Sequence, residues 1–251
     1  AMNPGGVANL NARMINGNSG LAEQSHAPDR GPQNIARDPT WMARHLDKLE
    51  ADIKIAVPDP NDSRLLILNY EAWWPAWRQT PDAVRVKWRD YISTDRPQEI
   101  AGKSDTEREA VFKRTYESFC RDFFTQTFAR CRQVRPLAKW SIYNVPHSTY
   151  WGWQGYELPV TADQLRSIND NELLYFWDLI DVLCPGVYAP HNTVPPSEPQ
   201  VLTPGRDLYK TSWDFQLGTQ SESVRIARRH GKKVMPFVWF RYHNSNPVYG
   251  Y

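Results

Sequence analysis

The stretch Leu65-Leu66-Ile67-Leu68-Asn69-Tyr70-Glu71 is the most informative part of this sequence. Its four consecutive apolar residues are typical of a strand that is covered on both faces, as in a parallel sheet. Because side chains alternate along an extended chain, Asn69 and Glu71 should face the same way, with Tyr70 facing the other. The sequence therefore predicts a buried strand that delivers an amide and a carboxyl group to a site.

Apolar strands and helical patterns alternate on both sides of this stretch. Helices are predicted from Asp38-Pro39 to Pro58 and over 82–93, 105–134, 161–183 and 219–230, with strands over 65–68, 137–143, 185–188 and 234–240. The polar run Asn169–Asn171 favours an interruption of the fourth helix. This alternation indicates βα units and a parallel sheet, hence an α/β fold.

The first part of the chain differs from the rest. Residues 1–38 are rich in Gly, Asn and Pro and have no periodicity, so they are predicted to be a flexible N-terminal segment. Residues 39–251 are predicted to form one α/β domain. Because function in such domains lies at the carboxyl ends of the strands, the residues that follow each strand are the candidates for a site.

Polar and aromatic residues stand at these strand ends. The ends are 69–71, 143–144, 188–190 and 240–242, and Glu71 is the one carboxyl residue among them. A carboxyl group in an aromatic-walled cleft has a raised pKa and can act as a general acid. The alternative is that Glu71 caps the following helix or pairs with Arg78.

The aromatic content of the chain is high, with 11 Trp and 12 Tyr. Trp140, Trp177 and Phe237 lie inside periodic segments and are predicted to belong to the core. A second group lies in or next to strand-end loops, where it either stacks on sugar rings or packs helices against loops: Trp73, Trp74, Trp77, Trp151 and Trp153. Arg241 is a candidate for binding an anionic group.

Composition excludes several function classes. A net charge of +2 argues against a strongly polyanion-seeking protein, so no nucleic-acid partner is predicted. No apolar run is long enough to span a membrane. The three cysteines do not form a disulfide framework and are predicted to be buried, and most of the six histidines are predicted to be at the surface or in loops. No metal-ligand cluster or phosphate-binding glycine loop is present, so neither a metal nor a cofactor is predicted.

Four segments in the same order resemble the hyaluronidases, glycoside hydrolase family 56. Residues 65–78 look like the family strand that carries Asp-x-Glu, followed by a Trp-rich segment. Residues 135–146 are similar to its Arg-Pro strand, 169–188 to its Asn-Asp to Val-Tyr region, and 225–242 to a later unit. The resemblance covers roughly residues 38–243, which is most of the chain.

This resemblance implies a TIM-like (β/α) barrel, distorted or incomplete, and hydrolysis of a β-linked N-acetylhexosamine polysaccharide. In the family, the acetamido oxygen of the substrate attacks the anomeric carbon. Glu71 would be the general acid/base, and Tyr143 and Tyr188 would line the subsite of the reacting sugar. The remaining candidates for substrate binding are Tyr70, Trp73, Trp74, Trp151, Arg241 and Tyr242.

Asn69 departs from the family pattern, because the family has Asp at this position to orient and stabilise the acetamido group. Three explanations remain open: a natural sugar binder that no longer cleaves, a variant mechanism in which an amide suffices, or an Asp-to-Asn inactivated form. A structural protein on the same scaffold is a further alternative.

Two further expectations follow from the resemblance. The family barrel has additional strands that this chain does not obviously supply, and an open parallel edge favours association into a homo-oligomer. A secreted or extracellular location is expected from the family, although no signal peptide or disulfide framework is visible.

Overall fold

The computed structural model describes residues 12–15, 31–70, 74–147, 162–188 and 208–238. Contacts between residues divide the chain into two compact units. The first comprises Ala1–Ile142 with Asp170–Asp181, and the second comprises Tyr143–Asn169 with Val182–Tyr251.

Helices and strands alternate along the described chain. In chain order they are β1 (Ala12–Ile15), α1 (Pro32–Arg37), α2 (Trp41–Ala56), β2 (Leu65–Leu68), α3 (Asp82–Asp95), α4 (Asp105–Val134), β3 (Lys139–Ile142), α5 (Ala162–Ser167), α6 (Leu174–Leu179), β4 (Val182–Leu183), α7 (Leu208–His230) and β5 (Lys233–Val234). Short 3₁₀ helices cover Trp77–Gln79 and Pro97–Glu99, and a π-helical turn covers Ile168–Glu172.

The first unit contains a parallel three-stranded sheet in the order β1-β2-β3. Leu65 is in register with Ala12 on one side and Lys139 on the other. All four residues of β2 are buried, which confirms the strand predicted from the apolar run. The central strand of this sheet is therefore the one that leads to Asn69.

The prediction of a flexible segment over residues 1–38 is wrong for two stretches, β1 and α1. The local sequence of β1 is too short to show a period of two, and its backbone hydrogen bonds go to β2, which is distant in sequence. Because β1 pairs with β2, the strand that leads to the candidate site is not an open edge. The predicted association into a homo-oligomer therefore cannot be argued from an open edge at β2.

Helix α4 contributes five buried aromatic side chains to the core of the first unit, and its predicted bounds are confirmed. Ser104 caps its first turn, and a reciprocal bond from Glu107 completes a capping box. Its buried face includes Tyr116, Phe123 and Phe128, and helix α2 packs against it.

Trp88 joins α3 to α4 and lets the core of the first unit be tested. It is 1% exposed, its Nε1 donates to Thr115 Oγ1 at 3.1 Å, and its ring meets Tyr116 edge-on. We expect Trp88→Ala to lower the free energy of unfolding by about 3–5 kcal/mol, because it leaves a large cavity. Urea denaturation followed by circular dichroism measures this loss.

The matched control is Val86→Ala on the same helix. Val86 is 53% exposed, so its truncation should change the free energy of unfolding by no more than about 0.5 kcal/mol. Equal losses in the two variants would show that Trp88 does not pack as described.

In the second unit, β4 and β5 form a parallel pair, with Val182 in register with Lys233. Helix α7 ends at His230, and Gly231 follows it with a φ of 63°, the left-handed conformation that glycine commonly adopts after a helix. The strands predicted over 185–188 and 234–240 are shorter than expected, with β4 beginning earlier and a single bridge joining Gly186 to Phe237.

The helix predicted over 161–183 ends earlier in the structure than the sequence indicates. The predicted interruption is the π-helical turn, and the helical conformation ends at Leu179. Ile180 adopts an extended backbone, and Val182 and Leu183 then pair with β5. Tertiary pairing thus overrides a helical spacing of apolar residues.

All three cysteines are buried and free, as predicted. None of the helices in the described ranges is apolar and long enough to cross a membrane.

Candidate active site

The amide of Asn69 follows directly after β2. Asn69 is half-buried, and its Oδ1 is buried without a hydrogen-bond partner in the described part of the chain. The other polar atom of the side chain, Nδ2, is not buried and unpartnered in this way. An acceptor in such a position costs free energy unless a donor reaches it.

Tyr70 lies in the aromatic core of the first unit. It is 8% exposed, and its ring centroid is 5.7 Å from the centroids of both Phe123 and Phe124 on α4. This burial favours a packing role for Tyr70 over the predicted direct contact with a substrate.

The backbone at Trp74, just after the predicted acid, is anchored to α4. The carbonyl oxygen of Trp74 accepts hydrogen bonds from Tyr116 Oη at 2.7 Å and from Thr80 Oγ1 at 2.8 Å. Sequence reasoning missed both anchors, since Tyr116 looks like any member of an apolar helical stripe. They hold the downstream end of the segment that contains Glu71 and Trp73, which lie outside the described residues.

Trp77 is a core residue, which corrects its interpretation as a sugar-stacking candidate. It is 3% exposed, its ring lies 5.2 Å from that of Tyr116, and its Nε1 donates to Glu109 at 2.8 Å. The 3₁₀ helix at 77–79 turns this side chain inward, which a sequence pattern does not reveal.

Arg78 is held by a carboxylate other than Glu71. Its Nη2 lies 2.7 Å from Glu172 Oε1, and Lys113 Nζ lies 2.7 Å from the same oxygen. The alternative in which Glu71 serves only to pair with Arg78 is thus weakened.

Glu117 lies beside this cluster and has a perturbed pKa. Burial, and next the negative charge of Glu172, raise the pKa of Glu117 to about 7 against the opposing effect of Lys113. Its Oε1 also accepts from the Trp77 backbone N–H at 3.2 Å. Glu117 therefore keeps its proton in the folded protein at pH values where an unfolded chain has lost it.

The pH dependence of stability tests this assignment. Protonated Glu117 contributes to the free energy of unfolding. This contribution is fully present below the ordinary pKa of 4.5 and is lost as the pH rises through about 7. We expect Glu117→Gln, which mimics the protonated acid, to gain stability relative to the parent protein between about pH 5 and about pH 8. Urea denaturation at both pH values measures the change.

Glu109→Gln is the control for this experiment. Hydrogen bonding to Arg89 lowers the pKa of Glu109, so its substitution should not produce a gain at the higher pH. Parallel pH profiles for Glu117→Gln and the parent protein would contradict the raised pKa.

In the second unit, the structure brings Tyr143 and Tyr188 together. Their ring centroids lie 6.3 Å apart, and Phe237 meets the Tyr143 ring edge-on at 5.1 Å. Asn144 supports this arrangement by accepting a hydrogen bond from the Gly186 backbone N–H at 3.3 Å. A Cβ atom at Gly186 would lie 2.9 Å from Asn144 Oδ1, so glycine is needed for this close approach.

Several predicted site residues lie outside the described residues. They are Glu71, Trp73, Trp151, Trp153, Arg241 and Tyr242. Within the described ranges, no group of three His, Cys, Asp or Glu side chains is arranged to hold a metal ion.

A family model supplies the deciding comparison. The model of glycoside hydrolase family 56, hyaluronidase, matches residues 29–242. This chain belongs to the hyaluronidase family. The match includes the strand end at 69–71 and both tyrosines of the second unit.

Curated hyaluronidases match most of this chain at low identity. The hyaluronidase of Polybia paulista is 24% identical over 207 residues, covering 82% of this chain and 66% of the relative. The hyaluronidase Tab y 2.0101 of Tabanus yao is 26% identical over 203 residues, covering 80% and 53%. This chain thus spans between about half and two thirds of the length of these relatives.

A solved hyaluronidase shares the fold. Bee venom hyaluronidase in complex with a hyaluronic acid tetramer superposes with a TM-score of 0.63 at 22% identity, covering 85% of this chain and 60% of that one. The predicted α/β class and TIM-like barrel are confirmed by this likeness.

Proposed function

We propose that this chain binds a hyaluronan-type polysaccharide and hydrolyses it slowly, with substrate assistance. The observation that carries the proposal is the Asn69–Glu71 segment at the end of the buried central strand β2, in a chain of the hyaluronidase family. The relatives are named hyaluronidases, and one structural neighbour was solved with a hyaluronic acid tetramer.

The proposed reaction divides the chemistry between substrate and protein. The acetamido oxygen of the reacting sugar attacks the anomeric carbon, while Glu71 donates a proton to the departing glycosidic oxygen. Water then opens the cyclic oxazolinium intermediate, and the Glu71 carboxylate accepts a proton from that water. Substrate-derived nucleophiles need no cofactor, since the enzyme supplies proton transfer and orientation.

Asn69 is the residue proposed to limit the rate. The oxazolinium intermediate carries a positive charge, which a carboxylate stabilises and a neutral amide stabilises much less. Loss of such an electrostatic partner costs about 10²-fold or more in rate. Tyr143 and Tyr188 are proposed to shape the subsite of the reacting sugar.

Binding roles are proposed for residues at the remaining strand ends. Trp74 is half-buried, and its indole ring is proposed to stack on a sugar ring. Trp73, Trp151 and Tyr242 are proposed to add stacking surface, and Arg241 to meet an anionic group of the polysaccharide.

The proposal is tested with matched substrates. We expect purified protein to release reducing ends from hyaluronan and none from N-deacetylated hyaluronan, which lacks the acetamido oxygen. Equal cleavage of both polymers would contradict substrate assistance. Saturable binding without cleavage would favour the second candidate, a carbohydrate-binding protein that has lost hydrolysis, for which Asn69 is the specific argument.

An extracellular location is proposed from the relatives, which include a salivary hyaluronidase of Lutzomyia longipalpis. The three cysteines are free, so the described fold does not depend on a disulfide bond.

A further inference from the structure

A small, partly open cavity lies beside Asn69. It has a volume of about 20 Å³ and is lined by His45, Asn69, Thr127 and neighbouring apolar and aromatic side chains of β2, β3 and α4. A cavity of roughly 10–15 Å³ is large enough to hold one water molecule. This cavity therefore has room for one water and little more.

His45 lines this cavity, and the sequence analysis predicted no functional role for it. It is 2% exposed on the inner face of α2, where its ring stacks on Trp41. His45 is thus not one of the histidines at the surface or in loops, where most of the six are predicted to lie. Burial lowers the pKa of His45 to about 4, so the ring is neutral at neutral pH.

Thr127 determines which nitrogen of His45 carries the proton. The Thr127 hydroxyl donates its hydrogen to the Phe123 carbonyl oxygen at 2.8 Å, so toward His45 it can only accept. His45 Nε2, at 3.1 Å from Thr127 Oγ1, must therefore be the protonated nitrogen. His45 Nδ1 is then an acceptor.

Two buried acceptors thus belong to residues that line the same cavity. His45 Nδ1 and Asn69 Oδ1 are both buried, and neither has a hydrogen-bond partner within the described chain. A water molecule offers two O–H donors, which is the number that these two acceptors require.

We propose that one buried water bridges His45 Nδ1 and Asn69 Oδ1, so that His45 acts as a positioning residue for the Asn69 amide. With Oδ1 bound from inside, the Nδ2 group is the part of the amide left to meet a ligand. Asn69 then offers a donor where a positively charged intermediate requires an acceptor. This role for His45 in turnover rests on the proposed function, whereas the water site does not.

Two substitutions of His45 separate positioning from packing. In His45→Asn the new side-chain oxygen lies near the former Nδ1 position and can still accept from the water. In His45→Gln the side-chain polar group lies near the former Nε2 position, so the contact with Thr127 survives and the acceptor toward the water is lost. Both substitutions remove the ring, so each loses the stacking on Trp41.

The first readouts do not depend on activity. We expect a high-resolution crystal structure of the parent protein to show an ordered water within hydrogen-bond distance of His45 Nδ1 and Asn69 Oδ1. In nuclear magnetic resonance spectra, the Asn69 side-chain amide signal should move in His45→Gln and stay close to its original position in His45→Asn. A dry cavity, or equal movement in both variants, would overturn the proposal.

Turnover supplies the functional readout. We expect kcat on hyaluronan to be about tenfold higher in His45→Gln than in His45→Asn, with KM little changed, because an amide released from the water can turn its Oδ1 toward the positively charged intermediate. Equal kcat values would overturn the positioning role even if the water is present. If the parent protein shows no cleavage, the proposed function fails, and the crystal structure and the amide signal still decide the water site.

Discussion

Replacement of Glu71 by Gln is expected to reduce hyaluronan hydrolysis by about 10³-fold, within the range for loss of a general acid. Glutamine has nearly the same size and polarity but cannot donate a proton to the departing oxygen. Initial rates of reducing-end release measure the effect, and isothermal calorimetry with hyaluronan oligosaccharides should show affinity within about threefold of the parent protein.

Glu99→Gln is the matched control, because Glu99 lies in the 3₁₀ helix Pro97–Glu99 and pairs with Arg96. It should leave hydrolysis unchanged. Unchanged turnover in Glu71→Gln would rule out the assigned acid, and loss of affinity in parallel with rate would point to a binding role instead.

Asn69→Asp is expected to act in the opposite direction and to increase kcat by about 10²-fold. The added carboxylate places a negative charge beside the cationic oxazolinium intermediate, and the exchange leaves the side-chain volume almost unchanged. Single-turnover rates on hyaluronan oligosaccharides isolate the chemical step from product release.

The double variant Asn69→Asp with Glu71→Gln is the control for this gain. It should be as inactive as Glu71→Gln alone, because the stabilised intermediate cannot form without protonation of the leaving oxygen. A gain that survives in the double variant would assign the chemistry to other residues. No gain in Asn69→Asp would favour the binding protein over the slow hydrolase.

The position of the candidate site on the chain could be predicted from local sequence. Four consecutive apolar residues are typical of a buried strand, and the polar residues that follow mark where that strand ends. The long helix over 105–134 could equally be predicted, because its amphipathic pattern extends over thirty residues.

Other features depended on partners that are remote in sequence. Strand β1 shows no period of its own and is a strand because it pairs with β2. Trp77 stands in a loop-like Pro- and Trp-rich segment, yet Tyr116 and Glu109 on α4 hold it inside. Val182 and Leu183 fit a helical spacing and become a strand because β5 is available.

The sequence by itself determined the α/β class, because short-range periodicity suffices for it. The acid proposed at position 71 and the departure at position 69 came from the resemblance of the sequence to the hyaluronidases. The tertiary structure decided which groups surround the Asn69 amide. His45 on α2 and Thr127 on α4 are 82 residues apart in the sequence, and they meet across one hydrogen bond. Since an amide has no charge to direct it, its orientation depends on such neighbours, which packing alone brings together.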